Sequence, residues 1–513
     1  MGGVLTTNSV NASRESRRAR ISNLLDRRNV GQGAVAHKWL CFGCIALGTF
    51  IGYLDASIVN IALPTLTRYF HADLSAINWV VTSYLLMITG LVIIFGRLAD
   101  MYGRKRLYIF GFIIFTLASA LCGAAPNVWS LVAFRCLQGV GAAALLANGV
   151  AILTEAFPPS ERGRALGMIG SVLAFAAIVG PPVGGFLIDY VGWRSLFYIN
   201  VPIGVIGILM AAKYLPSSIA HAPKERFDLT GAITLFALLS CFLFLTNVLA
   251  EPDWDRSVFV VLLVATVALA VLFIAVEKRV QHALLDLDLF RTRAFTAASM
   301  SSFLSFWAIS SISFLMPFYL DRVLLLTPTK SGALLAPVPI LLVIIAPLGG
   351  HLADKYGVRI ICTVGALINC CGLLLMSTLD METSALGVVM RLVPFGIGMG
   401  LFQPPNNSAM LGAVPSNRFG IVSGMISALK NLGSMSGVAV TSLVSTVTQL
   451  AVLAQLTALG VPTALAERQS FASAVRVMFL ISAGICSVVI FTSLVRGSDK
   501  VLSEQERLAA VRS

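Results

Sequence analysis

Apolar residues run along this chain in long unbroken blocks, and polar residues gather in short stretches between them. A helix crossing about 30 Å of hydrocarbon at about 1.5 Å per residue needs about twenty apolar residues. Blocks of that length predict fourteen helices, at 40–63, 76–97, 107–124, 128–153, 165–188, 195–213, 229–249, 257–277, 297–319, 331–352, 360–378, 385–411, 421–447 and 473–495. An even number of crossings returns the chain to the side on which it began.

The link between helices 2 and 3 is a tight basic turn, Gly96-Arg-Leu-Ala-Asp-Met-Tyr-Gly-Arg-Lys-Arg-Leu107. Asp100 ends one helix, Gly103 allows the positive φ of a short reversal, and Arg104, Lys105 and Arg106 hold the turn at a cytoplasmic surface. The pattern returns 254 residues later as Gly350-His-Leu-Ala-Asp-Lys-Tyr-Gly-Val-Arg-Ile360, with Asp354 and Gly357 in the places of Asp100 and Gly103. Two further pairs extend it: Arg135-Cys-Leu-Gln-Gly-Val-Gly with Arg391-Leu-Val-Pro-Phe-Gly-Ile-Gly, and Gly167-Met-Ile with Gly424-Met-Ile, an offset that also matches Gly180 to Gly437. Helix 2 therefore maps onto 10, 4 onto 12 and 5 onto 13. The repeat unit is six helices, with helices 7 and 8 inserted between the halves. The expected segments are a basic cytoplasmic tail at 1–38, a six-helix bundle at 39–214, a linker with two helices at 215–296, a second bundle at 297–495 and a cytoplasmic tail at 496–513.

Composition agrees with an all-α polytopic membrane protein. Of the 513 residues 57% are hydrophobic and 12% charged, and the mean hydropathy is +0.87. The net charge of +13 raises nucleic acid as a partner, but placement answers it: roughly three quarters of the 37 Lys and Arg fall in the segments assigned to the cytoplasm, as the positive-inside rule requires. Nucleic-acid binding is not expected. The nine cysteines lie mostly inside apolar runs and read as buried thiols, so no metal or cofactor is expected. The first 38 residues lack an apolar core followed by a cleavage site and read as a largely irregular tail, not a signal peptide. No Gly-x-x-x-x-Gly-Lys-Ser/Thr loop is present, so the energy for any transport would come from an ion gradient, and enzymatic activity is not expected.

With its turn motif and echo, Leu54-Asp-Ala-Ser-Ile-Val-Asn-Ile-Ala-Leu-Pro64, Arg135-x-x-Gln-Gly-x-Gly, Gly180-Pro-Pro-Val-Gly-Gly185, Trp193-Arg-Ser-Leu-Phe-Tyr-Ile-Asn-Val-Pro-Ile-Gly204 and Leu287-Asp-Leu-Phe-Arg-Thr-Arg-Ala-Phe295, the chain resembles the major facilitator superfamily, and within it the fourteen-helix drug:proton antiporters. The resemblance runs from about residue 40 to 495. It implies a 6 + 2 + 6 arrangement in the plasma or inner membrane, both termini cytoplasmic. It also implies alternating access that exchanges protons for lipophilic, mainly cationic small molecules. Lipids and amphiphilic or anionic metabolites stand as the alternative cargo, and an importer or a transporter-like receptor are further classes. The bilayer and protons are the remaining partners; a periplasmic adaptor joins them if the source is Gram-negative.

Asp55 lies about 15 residues into helix 1, where an acid costs on the order of 2.5–3.5 kcal/mol to insert and each Leu or Ile returns about 0.3–0.6. Two readings stand: a site where proton and cargo compete, or a structural ion pair. Arg135 in helix 4 matches its depth to within about 2 Å. The two are therefore expected to pair with a separation coupled to protonation, unless Arg135 snorkels outward. In the superfamily fold, helices 1 and 4 both line the cavity. The substrate cavity is assigned Tyr53, Phe303, Phe306, Trp307, Phe314 and Phe402, with Asn148, Gln403 and Asn406 as polar contacts and Lys430 and Arg391 as intramembrane bases. The conformational gate is assigned Gly96, Asp100, Gly103, Arg104, Asp354 and Gly357 at the turns and Gly180, Pro181, Pro182, Gly184 and Gly185 in helix 5. Asp100 either caps a neighbouring helix or bridges to Arg104 or Arg106. Ala176 stands where the related motif usually has Gly.

Overall fold

Residues 5–216, 229–249, 256–279, 287–412 and 419–496 are described by a computed structural model of the chain. Among them the fold is helical throughout, with no strand. The first half contains α1 (Leu5–Phe70), α2 (Leu74–Tyr102), α3 (Arg104–Gly123), α4 (Val128–Ala156), α5 (Pro159–Tyr190) and α6 (Ser195–Tyr214). Then come α7 (Leu229–Leu249) and α8 (Arg256–Glu277). The second half contains α9 (Arg293–Val323), α10 (Pro328–Tyr356), α11 (Val358–Met376), α12 (Ala385–Gly412), α13 (Phe419–Ala458) and α14 (Thr463–Val495).

Hydropathy located every helix but clipped several ends. α13 runs to Ala458 and α14 begins at Thr463, about ten residues beyond the expected 447 and before the expected 473. Gln449, Gln455, Glu467 and Arg468 are good helix formers, so the helices continue past the apolar stretch that hydropathy detects. α1 passes through Pro64 to Phe70, and towards its start the backbone of 5–37 continues the helix where an irregular tail was expected. Arg, Ala and Leu in that stretch favour helix locally. Of the expected C-terminal tail, 497–513 lie outside the described residues, as do 217–228, 250–255, 280–286 and 413–418.

The two turns that carry the repeat have the same conformation. Gly103 has φ 98° and Gly357 φ 92°, and each donates its N–H to the carbonyl four residues back, Ala99 and Ala353, at 2.9 Å. A side chain would strain both. The repeat also holds in packing: a Cβ on Gly180 would lie 2.4 Å from Ser57 Oγ on α1, and one on Gly437 would lie 2.5 Å from the Trp307 carbonyl on α9. Thus α5 crosses α1 as α13 crosses α9.

Within the first half α2 and α3 pack on α4, α1 on α5, and α6 on α1 and α3; within the second, α10 and α11 pack on α12, α9 on α13, and α14 on α9, α11 and α13. The halves meet along two seams, α5 with α10 and α2 with α13. Those seams are equivalent under the repeat. α7 lies across the second, its Leu235, Leu239 and Leu243 clustering with Leu86 of α2 and Met435 of α13. α8 packs on α7 and leaves Val260, Val261, Val264, Val267 and Val271 exposed, as a helix facing acyl chains does.

Candidate functional site

Asp55 sits midway along the membrane-crossing part of α1, Lys38–Phe70, and is 1% exposed. Its carboxylate accepts from three side chains on two other helices. Arg135 Nη1 donates to Oδ2 as an ion pair; Gln138 Nε2 (2.8 Å) and Asn200 Nδ2 (2.9 Å) both donate to Oδ1. Arg135 and Gln138 are three apart on α4, hence on one face, and Asn200 lies in the first turns of α6.

Arg135 is held from the other side as well. Its Nε donates to the Val80 carbonyl (3.0 Å), Nη1 also donates to Gln138 Oε1 (2.7 Å), and its guanidinium lies 4.0 Å from the centre of the Tyr84 ring. Gln138 Nε2 further donates to Ser119 Oγ on α3 (2.9 Å), and Tyr84 O–H to the Gly52 carbonyl (3.2 Å). Five helices of the first half therefore converge on one buried polar knot. In surroundings of low dielectric such a knot is stable only when its donors and acceptors match. Sequence reasoning missed Gln138, Asn200, Tyr84 and Ser119. Gln138 was legible as the i+3 neighbour of Arg135; the other three carry no local signal.

The double-proline stretch lies at the α5–α10 seam, at the end of the molecule opposite the Gly103 and Gly357 turns. α5 stays helical through Pro181 and Pro182, which remove two N–H donors and free the carbonyls of Ala177 and Ile178. A Cβ on Gly332 would lie 2.1 Å from the Pro181 carbonyl, and one on Gly185 would lie 2.2 Å from the Pro328 carbonyl. Gly184 faces Ile58 of α1. Glycines on both sides thus let the two backbones touch. Polar ties flank this contact: Asp189 Oδ2 accepts from Thr329 N–H (2.8 Å) and Thr329 Oγ1 (2.5 Å), and Arg68 pairs with Asp321 at 2.6 Å. This end of the interface is closed.

At the turn end, Arg104 pairs with Glu155 of α4 (2.6 Å) and Lys38 with Glu161 of α5 (2.6 Å), both inside the first bundle. The Asp100 side chain lies outside the described ones, and Asp354 is exposed. A Cβ on Gly96 would meet nothing within 4 Å, so close packing does not account for that glycine.

The expected cavity residues divide. Tyr53 is 44% exposed although α1 is wrapped by α2, α4, α5 and α6 and meets α9 across the interface, so it borders an interior opening. Phe303, Phe306, Gln403 and Lys430 are half-buried. Trp307 and Phe314 are instead packed into the main hydrophobic core, and Phe402 is packed against Cys362, Ala366 and Val489 within the second bundle. Asn148 is buried and donates to the Ala144 carbonyl one turn back (2.7 Å). Asn406 donates to the Ala298 carbonyl (3.1 Å) and accepts from Arg496, which ties α9, α12 and the end of α14 together. Arg391 donates to Thr378 Oγ1 and the Gly387 carbonyl, each at 3.0 Å, near the start of α12. These six positions have structural duties in place of the expected cavity role. Buried polar groups take whatever partner lies in reach, and for Arg391 that is a loop between helices.

Residues 45–438 match the family model described as Major Facilitator Superfamily. Curated relatives include the riboflavin transporter RibZ of Clostridioides difficile (strain 630), 36% identical over 403 residues, covering 78% of this chain and 87% of that protein. Another is the multidrug resistance protein Stp of Mycobacterium tuberculosis (strain CDC 1551 / Oshkosh), 33% identical over 395 residues, covering 77% of this chain and 73% of that protein. Among solved structures, a bacterial homologue of the human lysosomal transporter Spinster, inward-facing and unoccupied, has the same fold, with a TM-score of 0.66 at 14% identity, covering 92% of this chain and 98% of that one. Six apolar helices in each of two halves with two more between them among the described residues, a family model spanning most of the chain and transporters among its relatives lead to one conclusion: this multi-pass membrane transporter belongs to the Major Facilitator Superfamily.

Proposed function

We propose that the protein is a proton-coupled exporter of lipophilic small molecules working by alternating access, with Asp55 as the proton site. One observation carries this reading: a mid-membrane carboxylate accepts from three donors, one of which is a permanent cation. Protonation would remove the charge that Arg135 pairs with and add an O–H donor to one carboxyl oxygen, which keeps part of its acceptor capacity. Arg135 has only N–H groups and cannot accept from that O–H, so its charge-assisted bond is the one of the three that weakens most when the proton arrives.

The same helix links this event to the closed seam. Ser57, two residues beyond Asp55, touches Gly180, and the neighbouring Pro181 carbonyl abuts Gly332 of the other half. A shift of α1 that follows weakening of the Arg135 bond would therefore move α5 against α10. Opening there, with closure at the turn face, is the exchange of access that transport needs. In this scheme the turn face is cytoplasmic and the host membrane is the plasma or inner membrane.

Driving force depends on cargo charge. A charge crossing 100 mV is worth about 2.3 kcal/mol. Exchanging one proton for one monocation moves no net charge and draws on the pH gradient alone; neutral cargo adds the voltage. The relatives named for multidrug resistance support an exporter of varied lipophilic compounds, and the one named for riboflavin supports aromatic cargo. The amphiphilic or anionic alternative is favoured at one point, Lys430. The test is reconstitution into liposomes with an imposed pH gradient, reading ethidium and anilinonaphthalene sulfonate flux for wild type and Asp55→Asn. Flux that follows the gradient only in wild type supports the reading; flux indifferent to the gradient, or unchanged in the variant, rejects it.

A further inference from the structure

We infer that Lys430 and Phe306 form a cargo subsite for aromatic compounds bearing an anionic group. This deepens the exporter reading and rests on it, because it takes the opening between the bundles as the cargo path.

The direction in which Lys430 points follows from its neighbours. At about 100° per residue along α13, Gly433 and Gly437 share a direction, and both abut α9, through the carbonyls of Phe303 and Trp307. Met435 lies on the far side, against Thr89 of α2 and the α7 cluster. Lys430, Ser434, Ser427 and Asn431 fall on one arc between those two directions. The opposite arc carries Leu429, packed on the small core around Phe295 and Met410. All four arc residues are polar, and all are partly or fully accessible. Because α13 meets α2 of the first half on one side and α9 of its own half on the other, this arc looks into the space between the halves.

Lys430 stands about 17 Å along α13 from Phe419, too far for its side chain to reach that end. Its ammonium lies 5.2 Å from the centre of the Phe306 ring. Among the described residues no carboxylate pairs with it. A lysine within an apolar membrane-crossing helix is costly and is retained where something neutralises it. Asp55 is the reverse case: its charge is matched inside the protein and it is 1% exposed, so it presents nothing to cargo. Among the described residues the accessible charge assigned to the opening is therefore the positive one of Lys430. A cation would be repelled there, whereas a sulfonate or carboxylate would receive a charge-assisted hydrogen bond while its ring packed beside Phe306 and Phe303, with Tyr53 on the facing bundle. Proton import with export of such an anion moves two charges per cycle, against none for a monocation.

The test measures binding to the full-length protein in detergent, with no gradient present, using anilinonaphthalene sulfonate as the aromatic anion and ethidium as the aromatic cation. Wild type is expected to bind the sulfonate more tightly than ethidium. Lys430→Gln should weaken the sulfonate roughly tenfold or more, the size of one charge-assisted hydrogen bond, and leave ethidium unchanged or tighter, while Lys430→Arg keeps the preference. Equal sulfonate affinity in wild type and Lys430→Gln, or a wild-type preference for ethidium, overturns the proposal. Should Lys430→Gln not fold, the wild-type preference decides alone. Lys430-dependent sulfonate binding without pH-driven flux would reject the proton reading only; pH-driven sulfonate flux untouched by Lys430→Gln would reject the subsite only.

Discussion

Neutralising one member of the Asp55–Arg135 pair should cost far more than neutralising both. Asp55→Asn keeps the size of the side chain but replaces one acceptor with an amide that donates. It then faces Arg135 Nη1, Gln138 Nε2 and Asn200 Nδ2, all donors, and leaves the guanidinium, itself 1% exposed, without its counter-charge. Stranding one ion of a buried pair costs about 3–5 kcal/mol. Arg135→Gln strands the carboxylate and also loses the bond to the Val80 carbonyl and the contact with the Tyr84 ring. In the double variant two neutral amides face each other and no charge is left unmatched. Its loss should fall short of the summed single losses by about 3 kcal/mol or more. Unfolding of the purified protein in mixed micelles by sodium dodecyl sulfate, followed by circular dichroism, gives the three free energies. Additivity to within about 0.5 kcal/mol would refute the account of the knot as a matched buried pair.

Three further outcomes test the seam and the turns. Gly332→Leu places side-chain atoms where the Pro181 carbonyl already lies 2.1 Å from an ideal Cβ, so the α5–α10 seam should not close; a cysteine at the buried Ser331, in a background lacking the nine native cysteines, should then react with an impermeant maleimide at least about fivefold faster than with Gly332 intact. Cysteines at Asp189 and Thr329, joined by oxidation, should lock the same seam and stop transport, and reductant should restore it; transport that continues after full cross-linking would show that the seam need not open. Gly103→Val and Gly357→Val should each lower stability by about 1–3 kcal/mol because both glycines have φ above 90°, and markedly unequal losses would show that the repeated turns do not carry equal strain.

Much of this architecture follows from the order of residues alone. Helix number, the repeated turns with their positive-φ glycines and the isolated mid-membrane acid all follow from local length, local composition or recurrence. The equal depths of Asp55 and Arg135 needed only a rise per residue. What the sequence left open is which way each helix faces. In a soluble helix a polar stripe marks the solvent side, but in a bilayer the lipid-facing surface is as apolar as the core, so periodicity loses its meaning. Hence Asn200 and Ser119 gave no sign that one would reach the Asp55 carboxylate and the other the Gln138 amide beside it, and Phe402, Asn406 and Arg391 looked like cavity residues until neighbouring helices and loops claimed them. The closed seam and the unmatched Lys430 likewise depend on two halves being brought face to face. Only tertiary packing sets that relation, since contacts between bundles join residues more than a hundred positions apart, beyond the reach of any local rule.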